Sequence, residues 1–206
     1  MRQLFILIFL ISFCACQHGN QVIAQQIDSL ENDEAKNYLQ LKADTAAIFC
    51  QKNNLNTEFC ILIDMKIHSG KNRFFVWDFT KNEIAHAGLC CHGMGGGSTG
   101  AMPIFSNVSG SYCTSLGKYK LGARAYSQYG IHAHYKMHGL EATNSNAFKR
   151  IIVFHSHTPV PDYEIYPQHL PLGWSLGCPV VSNEMMTTVD AMLKASTSPV
   201  LLWIYY

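Results

Sequence analysis

The sequence predicts a mainly β domain with a leading helix and a late helix. Three observations carry that expectation. Short runs of β-branched and aromatic residues, separated by turn clusters, fill the middle of the chain. A helical periodicity precedes them, and a cappable amphipathic segment sits near the C-terminus. The composition agrees: of 206 residues, 48% are hydrophobic and 14% charged, which suits a buried core and excludes a disordered chain.

The first element is not part of that domain. Residues 1–16 read MRQLFILIFLISFCAC, with Arg2 ahead of the uncharged, largely apolar run Leu4–Phe13. A spanning helix needs about 20 apolar residues. This shorter run therefore predicts a secretory signal and an exported protein of the periplasm or cell envelope. Ala15-Cys16 resembles the end of a bacterial lipobox, although Phe13 stands where leucine is usual. Cys16 is thus a lipidation candidate, with ordinary signal cleavage as the alternative. A lipid there would be the only membrane attachment. Polar residues 17–27 are expected to form a tether, and 28–206 one domain.

From Asp28 to about Asn53 the apolar residues Leu30, Ala35, Tyr38, Leu39, Leu41, Ala46 and Phe49 recur at helical spacing. Glu31 to Glu34 put acid at the positive end of that helix, and Asn53-Asn54 end it. Phe59–Ile67 and Arg73–Thr80 flank the turn cluster 68–72 and read as a hairpin, with Ile84–Cys91 as a third strand. Residues 93–100 carry five glycines and read as a flexible surface connection; the Lys and helix of a phosphate cradle are missing. Lys118–Ala125 and Gly130–Gly139 are further strands. Arg150–His155 suits a short buried strand delivering His155 at its end. Prolines 159, 161, 167 and 171 make a loop. Ser182 or Asn183 caps a helix whose apolar face is Met185, Met186, Val189, Met192 and Leu193. Pro199–Tyr206 is the last strand.

Charge excludes one class of partner. With 15 basic and 14 acidic residues and no basic stripe, the chain has no field that would collect nucleic acid. The ten histidines and eight cysteines are more informative. Of the six cysteines beyond the signal, Cys50, Cys60 and Cys90 lie in apolar surroundings that suit buried small hydrophobes. Irregular spacing indicates neither a disulfide framework nor a zinc ribbon.

Cys178 differs. It follows Gly177, which permits a sharp turn and close approach of a carbonyl, and Ser175 can hydrogen-bond the loop backbone. His155 lies upstream across the proline-rich loop, which can fold back and bring imidazole to thiol. A nucleophilic cysteine needs such a base and nearby N–H donors for the developing oxyanion. An imidazolium beside it would lower the thiol pKa from its ordinary value near ~8.5.

Ser175-Leu176-Gly177-Cys178, with His155-Ser156 upstream, resembles the H-x(n)-[ST]-x-G-C signature of the YkuD-type L,D-transpeptidases. Phe105-Ser106-Asn107 through Ser115-Leu116-Gly117-Lys118-Tyr119 is similar to the segment that precedes the site in that family. Met137-His138-Gly139-Leu140-Glu141, Asn144 and Arg150–His155 are similar to the variant branch of murein L,D-transpeptidase catalytic domains, as are Ile63-Asp64, Arg73, Trp77-Asp78 and His92-Gly93. The resemblance spans roughly 35–206. It implies a mixed β-sandwich and a thioester acyl-enzyme on Cys178, formed from peptidoglycan tetrapeptide stems. His155 would be the base, Ser156 would orient it through its carbonyl, and N–H groups near Gly177 and Cys178 would form the oxyanion hole. Ser175, Arg150 and Arg124 are candidate substrate contacts. No metal or organic cofactor is implied. Two departures stand out: Leu176 replaces the commoner His, and Pro179-Val180 follow the cysteine where Arg is frequent.

Three other readings compete. His132/His134 and His155/His157 each put two imidazoles on one strand face, as a zinc hydrolase would need, without a telling further ligand. His157 is the alternative base, while His138 and His169 read as structural. A non-catalytic envelope-binding protein could keep the same fold. A papain-like protease has its Cys and His in the opposite order.

Overall fold

The computed structural model describes residues 34–206. The signal, the tether and Cys16 lie outside the described residues. Helix α1 occupies 34–52. It ends where expected. Asn54 turns left-handed at φ 53°, the Leu55 N–H reaches back to the Cys50 carbonyl, and the Asn53 side chain caps the Phe49 carbonyl. Ala43, Ala46 and Cys50 are buried.

Eight strands follow: β1 (Phe59–Asp64), β2 (Phe74–Asp78), β3 (Glu83–Gly88), β4 (Gly117–Tyr126), β5 (Ala133–Gly139), β6 (Val153–Ser156), β7 (Val180–Val181) and β8 (Leu201–Tyr205). They form one mixed sheet in the order β3-β2-β1-β8-β4-β5-β6-β7. The expected hairpin is β1–β2, antiparallel, with Phe59 opposite Asp78. The chain's last strand sits in the middle of the sheet, parallel to β1 and antiparallel to β4. That explains its unbroken apolar sequence, LLWIY, since a central strand is buried on both faces. β7 is too short to show in the sequence. Ile61, Ile63, Phe74, Val76, Tyr119, Met137, Phe154 and Ile204 share one buried cluster, in which Phe74 stacks on Phe154 at 5.5 Å. No helix among the described residues is long and apolar enough to cross a membrane.

Helix α2 (Asn183–Ala195) follows the cysteine segment, and its N-cap Ser182 accepts a hydrogen bond from the Met185 N–H. Met186 and Val189 are buried as expected, but Asp190 is buried on the same face. Arg124 from β4 donates to it at 2.7 and 3.3 Å, the Tyr135 hydroxyl from β5 donates at 2.7 Å, and Lys194 lies 3.0 Å away. Arg124 therefore binds a carboxylate of this chain. Burial pushes the Asp190 carboxyl up, but the hydrogen bonds from Arg124, Tyr135 and Lys194 outweigh it and hold the group at about 2, against an ordinary 3.8.

A depressed carboxyl pKa adds stability above the unfolded value, and that stability is lost as pH falls toward the folded value. Asp190→Asn should therefore cost about 2 kcal/mol at neutral pH, less than a fully buried pair because Arg124 and Lys194 are partly exposed. The gap to wild type should close between pH 3.8 and about 2. Urea titrations across that range check this; a gap that persists unchanged at low pH would refute the account.

Candidate active site

The site is built where β6 meets β7. These strands pair in parallel, His155 opposite Val180 and Ser156 opposite Val181. The pairing brings the segment just before β7 alongside the start of β6, and the Val153 N–H points at Cys178 Sγ at 3.4 Å. Cys178, His155 and His157 all line one cavity of about 840 Å³.

His155 is almost fully buried, and its Nδ1 lies 2.9 Å from the Ser156 carbonyl. A carbonyl only accepts, so Nδ1 carries the hydrogen and Nε2 keeps its lone pair. Ser156 is itself held, because its hydroxyl accepts the Ile131 N–H at 3.1 Å. The expected orienting role of the Ser156 carbonyl fits this geometry. Burial lowers the pKa of His155, the Ser156 hydrogen bond raises it partway, and His157 and His134 lower it again. A ring in that balance is neutral and available as a base at ordinary pH.

The thiol departs from expectation. Burial raises the Cys178 pKa, with the Val153 N–H and the charge of Arg150 opposing. Burial thus favours the neutral form of each group. This direction runs against the low-pKa thiolate expected from an imidazolium neighbour, because burial disfavours charge on thiol and imidazole alike.

The turn bearing the cysteine is tightly specified. Ser175 Oγ donates to the Cys178 carbonyl at 2.6 Å and accepts the Gly177 N–H at 3.0 Å. Its hydroxyl hydrogen is used inside the turn, so Ser175 fixes the loop and is not a substrate donor. The Gly177 N–H is also committed, whereas that of Cys178 donates to nothing among the described residues. Gly177 has φ 114°, and a Cβ there would come within 2.7 Å of the Cys113 carbonyl. Only glycine fits both conditions.

Arg150 braces the turn from below. Its Nη1 donates to the Ser106 carbonyl and Ser115 Oγ at 2.9 and 2.6 Å. Its Nη2 donates to Ser111 Oγ and the Cys113 carbonyl at 3.2 and 2.7 Å. All four terminal N–H groups are occupied, so Arg150 cannot grip a substrate carboxylate bidentately. It holds segment 106–115 against Gly177 instead.

The glycine-rich loop is likewise a brace. Gly93 donates to Thr114 Oγ1, Met94 to the Ser175 carbonyl, and Gly95 to the Tyr112 carbonyl. A Cβ on Gly93 would strike Gly177 Cα at 2.8 Å, so the loop is packed rather than free. Buried Arg73 anchors its start through the Cys90 carbonyl and His92 Nδ1 at 2.7 and 2.9 Å, and His92 Nε2 reaches the Thr99 carbonyl. Burial, followed by the charge of Arg73, drives His92 to about 4.

The remaining histidines divide. His134 sits opposite His155 in the sheet and lines the cavity with His157. His132 stacks on Tyr126, His138 on Phe148 and His169 on His68. No three His, Cys, Asp or Glu side chains among the described residues are grouped to hold a metal ion. Sequence reasoning missed the aromatic wall: the Tyr129 ring lies 5.9 Å from that of His155, and Trp174 lies 6.1 Å from that of His157. Neither residue stands in a motif. Leu176 is exposed at the cavity mouth.

The raised thiol pKa has a measurable consequence. Alkylation of Cys178 by iodoacetamide, followed by mass spectrometry, should rise with pH along a curve centred above the ordinary thiol value. A midpoint below 7 would show a resting ion pair and refute the neutral-pair assignment.

A family model described as L,D-transpeptidase catalytic domain matches residues 31–205. No curated protein matches the chain. Among solved structures, an L,D-transpeptidase from Xylanimonas cellulosilytica is 12% identical with a TM-score of 0.40, covering 71% of this chain and 60% of that one. Bd1075 of Bdellovibrio bacteriovorus is 18% identical with a TM-score of 0.43 over 71% and 48%. The helical cell shape determining protein Pgp2 of Campylobacter jejuni is 14% identical with a TM-score of 0.46 over 71% and 46%. This chain spans less than two thirds of the length of each of those three.

Proposed function

The chain belongs to the L,D-transpeptidase catalytic domain family, and from that premise we propose that it is a cysteine acyltransferase acting on peptidoglycan tetrapeptide stems. The observation that carries this reading is the buried His155, tied through Nδ1 to the Ser156 carbonyl, lining the same cavity as Cys178.

The reaction follows from that arrangement. Cys178 Sγ attacks the carbonyl at the L-centre of the third stem residue while Nε2 of His155 takes the thiol proton. Thiol and base start neutral, so charge separates only as the carbon–sulfur bond forms. The Cys178 N–H is the donor left for the oxyanion. The carbon–nitrogen bond to D-Ala then breaks, and the imidazolium returns its proton to the departing amine. A thioester remains. An amine from a second stem attacks it, His155 again takes the proton, and a 3→3 crosslink forms with the thiol restored. Water as acceptor makes the same enzyme an L,D-carboxypeptidase. A substrate in the bacterial wall accords with the export expected from residues 1–16.

Cys178→Ala should reduce D-Ala release from defined tetrapeptides by at least ~10⁴-fold. His155→Ala should cost about 10²–10⁴-fold, and His157→Ala less than about tenfold. Chromatography and mass spectrometry of the products read all three. Damage from His157→Ala exceeding that from His155→Ala would move the base. Because burial lowers the His155 pKa, the acid limb of kcat/KM should fall below pH 6.5, where the imidazole begins to hold a proton.

A further inference from the structure

One wall of the cavity has properties that the reaction above does not use. Tyr112 and Ile151 both line it, with φ of 55° and 59°. Bulky and β-branched residues are disfavoured there, because Cβ crowds the following carbonyl. Asn54, Asn82 and His132 share that conformation among the described residues, but asparagine and histidine adopt it more readily. Tyr112 is 53% exposed and Ile151 77%, so neither side chain gains much from packing in the folded chain. The turn accounts for the Ile151 backbone, because the Ile151 N–H reaches the Phe148 carbonyl and the Ile152 N–H the Ala147 carbonyl. Folding does not account for the exposure of the two side chains, whereas a ligand covering both explains their apolar character.

The charge on this wall points the same way. No acidic side chain lines the cavity, and its fixed cations are Lys149 and Arg150. The terminal N–H groups of Arg150 are occupied by segment 106–115. Lys149 is exposed and makes no hydrogen bond or ion pair among the described residues. Arg150 is thus turned inward, between two exposed neighbours that differ in chemistry.

We propose that Lys149, Tyr112 and Ile151 form the specificity pocket of this cavity, selecting a stem residue that combines a carboxylate with an aliphatic segment. The inference rests on the peptidoglycan reading. Three parts of a stem have that chemistry: the γ-linked D-Glu at the second position, a diaminopimelate at the third, and the terminal D-Ala.

The test uses the full chain and four tetrapeptides: one with all three carboxylates free, one amidated at the terminus, one amidated on the side chain of residue three, and one amidated on the α-carboxylate of residue two. Lys149→Gln should raise KM for the free acid about fivefold, the upper range for an exposed ion pair, with kcat within about twofold. Amidating the recognised carboxylate should cost wild type the same factor, and Lys149→Gln should add nothing to it. The amide that behaves so identifies the source. Ile151→Gly should raise KM while melting at or above wild type, since glycine accepts this backbone. Unchanged KM in either variant, or losses that add on every amide, overturns the pocket while wild-type turnover leaves the function standing. Absence of wild-type turnover on every stem overturns the function and the pocket with it.

Discussion

The pairing of Val180–Val181 with β6 is the constraint on which the rest of the site depends. Two residues of parallel ladder fix the approach of the cysteine turn to the strand that carries the base. Everything near it secures that short edge. Cys91 pairs with Val180 from the other side, Ser182 turns the chain into α2, and the buried Asp190 fixes that helix to β4 and β5. A two-residue strand alone would contribute little. Here it is enclosed on both sides by elements with their own buried contacts.

The same enclosure sets the electrostatics. Burial disfavours charge on both Cys178 and His155, so it pushes their pKa values apart, the thiol up and the imidazole down, and favours the neutral form of each. In the proposed reaction the proton then moves during attack, in step with the bond being made. Fixed dipoles and one distant charge hold this balance: the Ser156 carbonyl on the ring, and the Val153 N–H and Arg150 on the sulfur. Arg150 therefore serves the site without facing the substrate, and its neighbours in sequence face outward in its place.

Much of the scaffold was legible in the residues themselves. The leading helix with its Asn53-Asn54 stop, the β1–β2 hairpin, the Ser182 cap and the late helix all follow from local rules, because turns, caps and periodicity act within a few residues. The glycine-rich loop was not legible. Its composition suggests freedom, yet Gly93 is glycine because Gly177 lies against it, and such an approach comes from residues far apart in the chain. Asp190 was hidden similarly: one acid in an apolar helix face looks like a solvent position until Arg124 and Tyr135 arrive from other strands.

The sequence alone singled out the candidates for nucleophile, base and orienting residue, since Ser175–Cys178 and His155-Ser156 are short motifs with local geometry. Only the tertiary structure decided what Arg124, Arg150 and Ser175 do. Each has a side chain able to meet substrate, and each is engaged by partners of its own chain: Asp190, the 106–115 segment and the cysteine turn. Hydrogen-bonding capacity is a property of the residue, but whether any remains for a ligand depends on what the fold has already placed within reach.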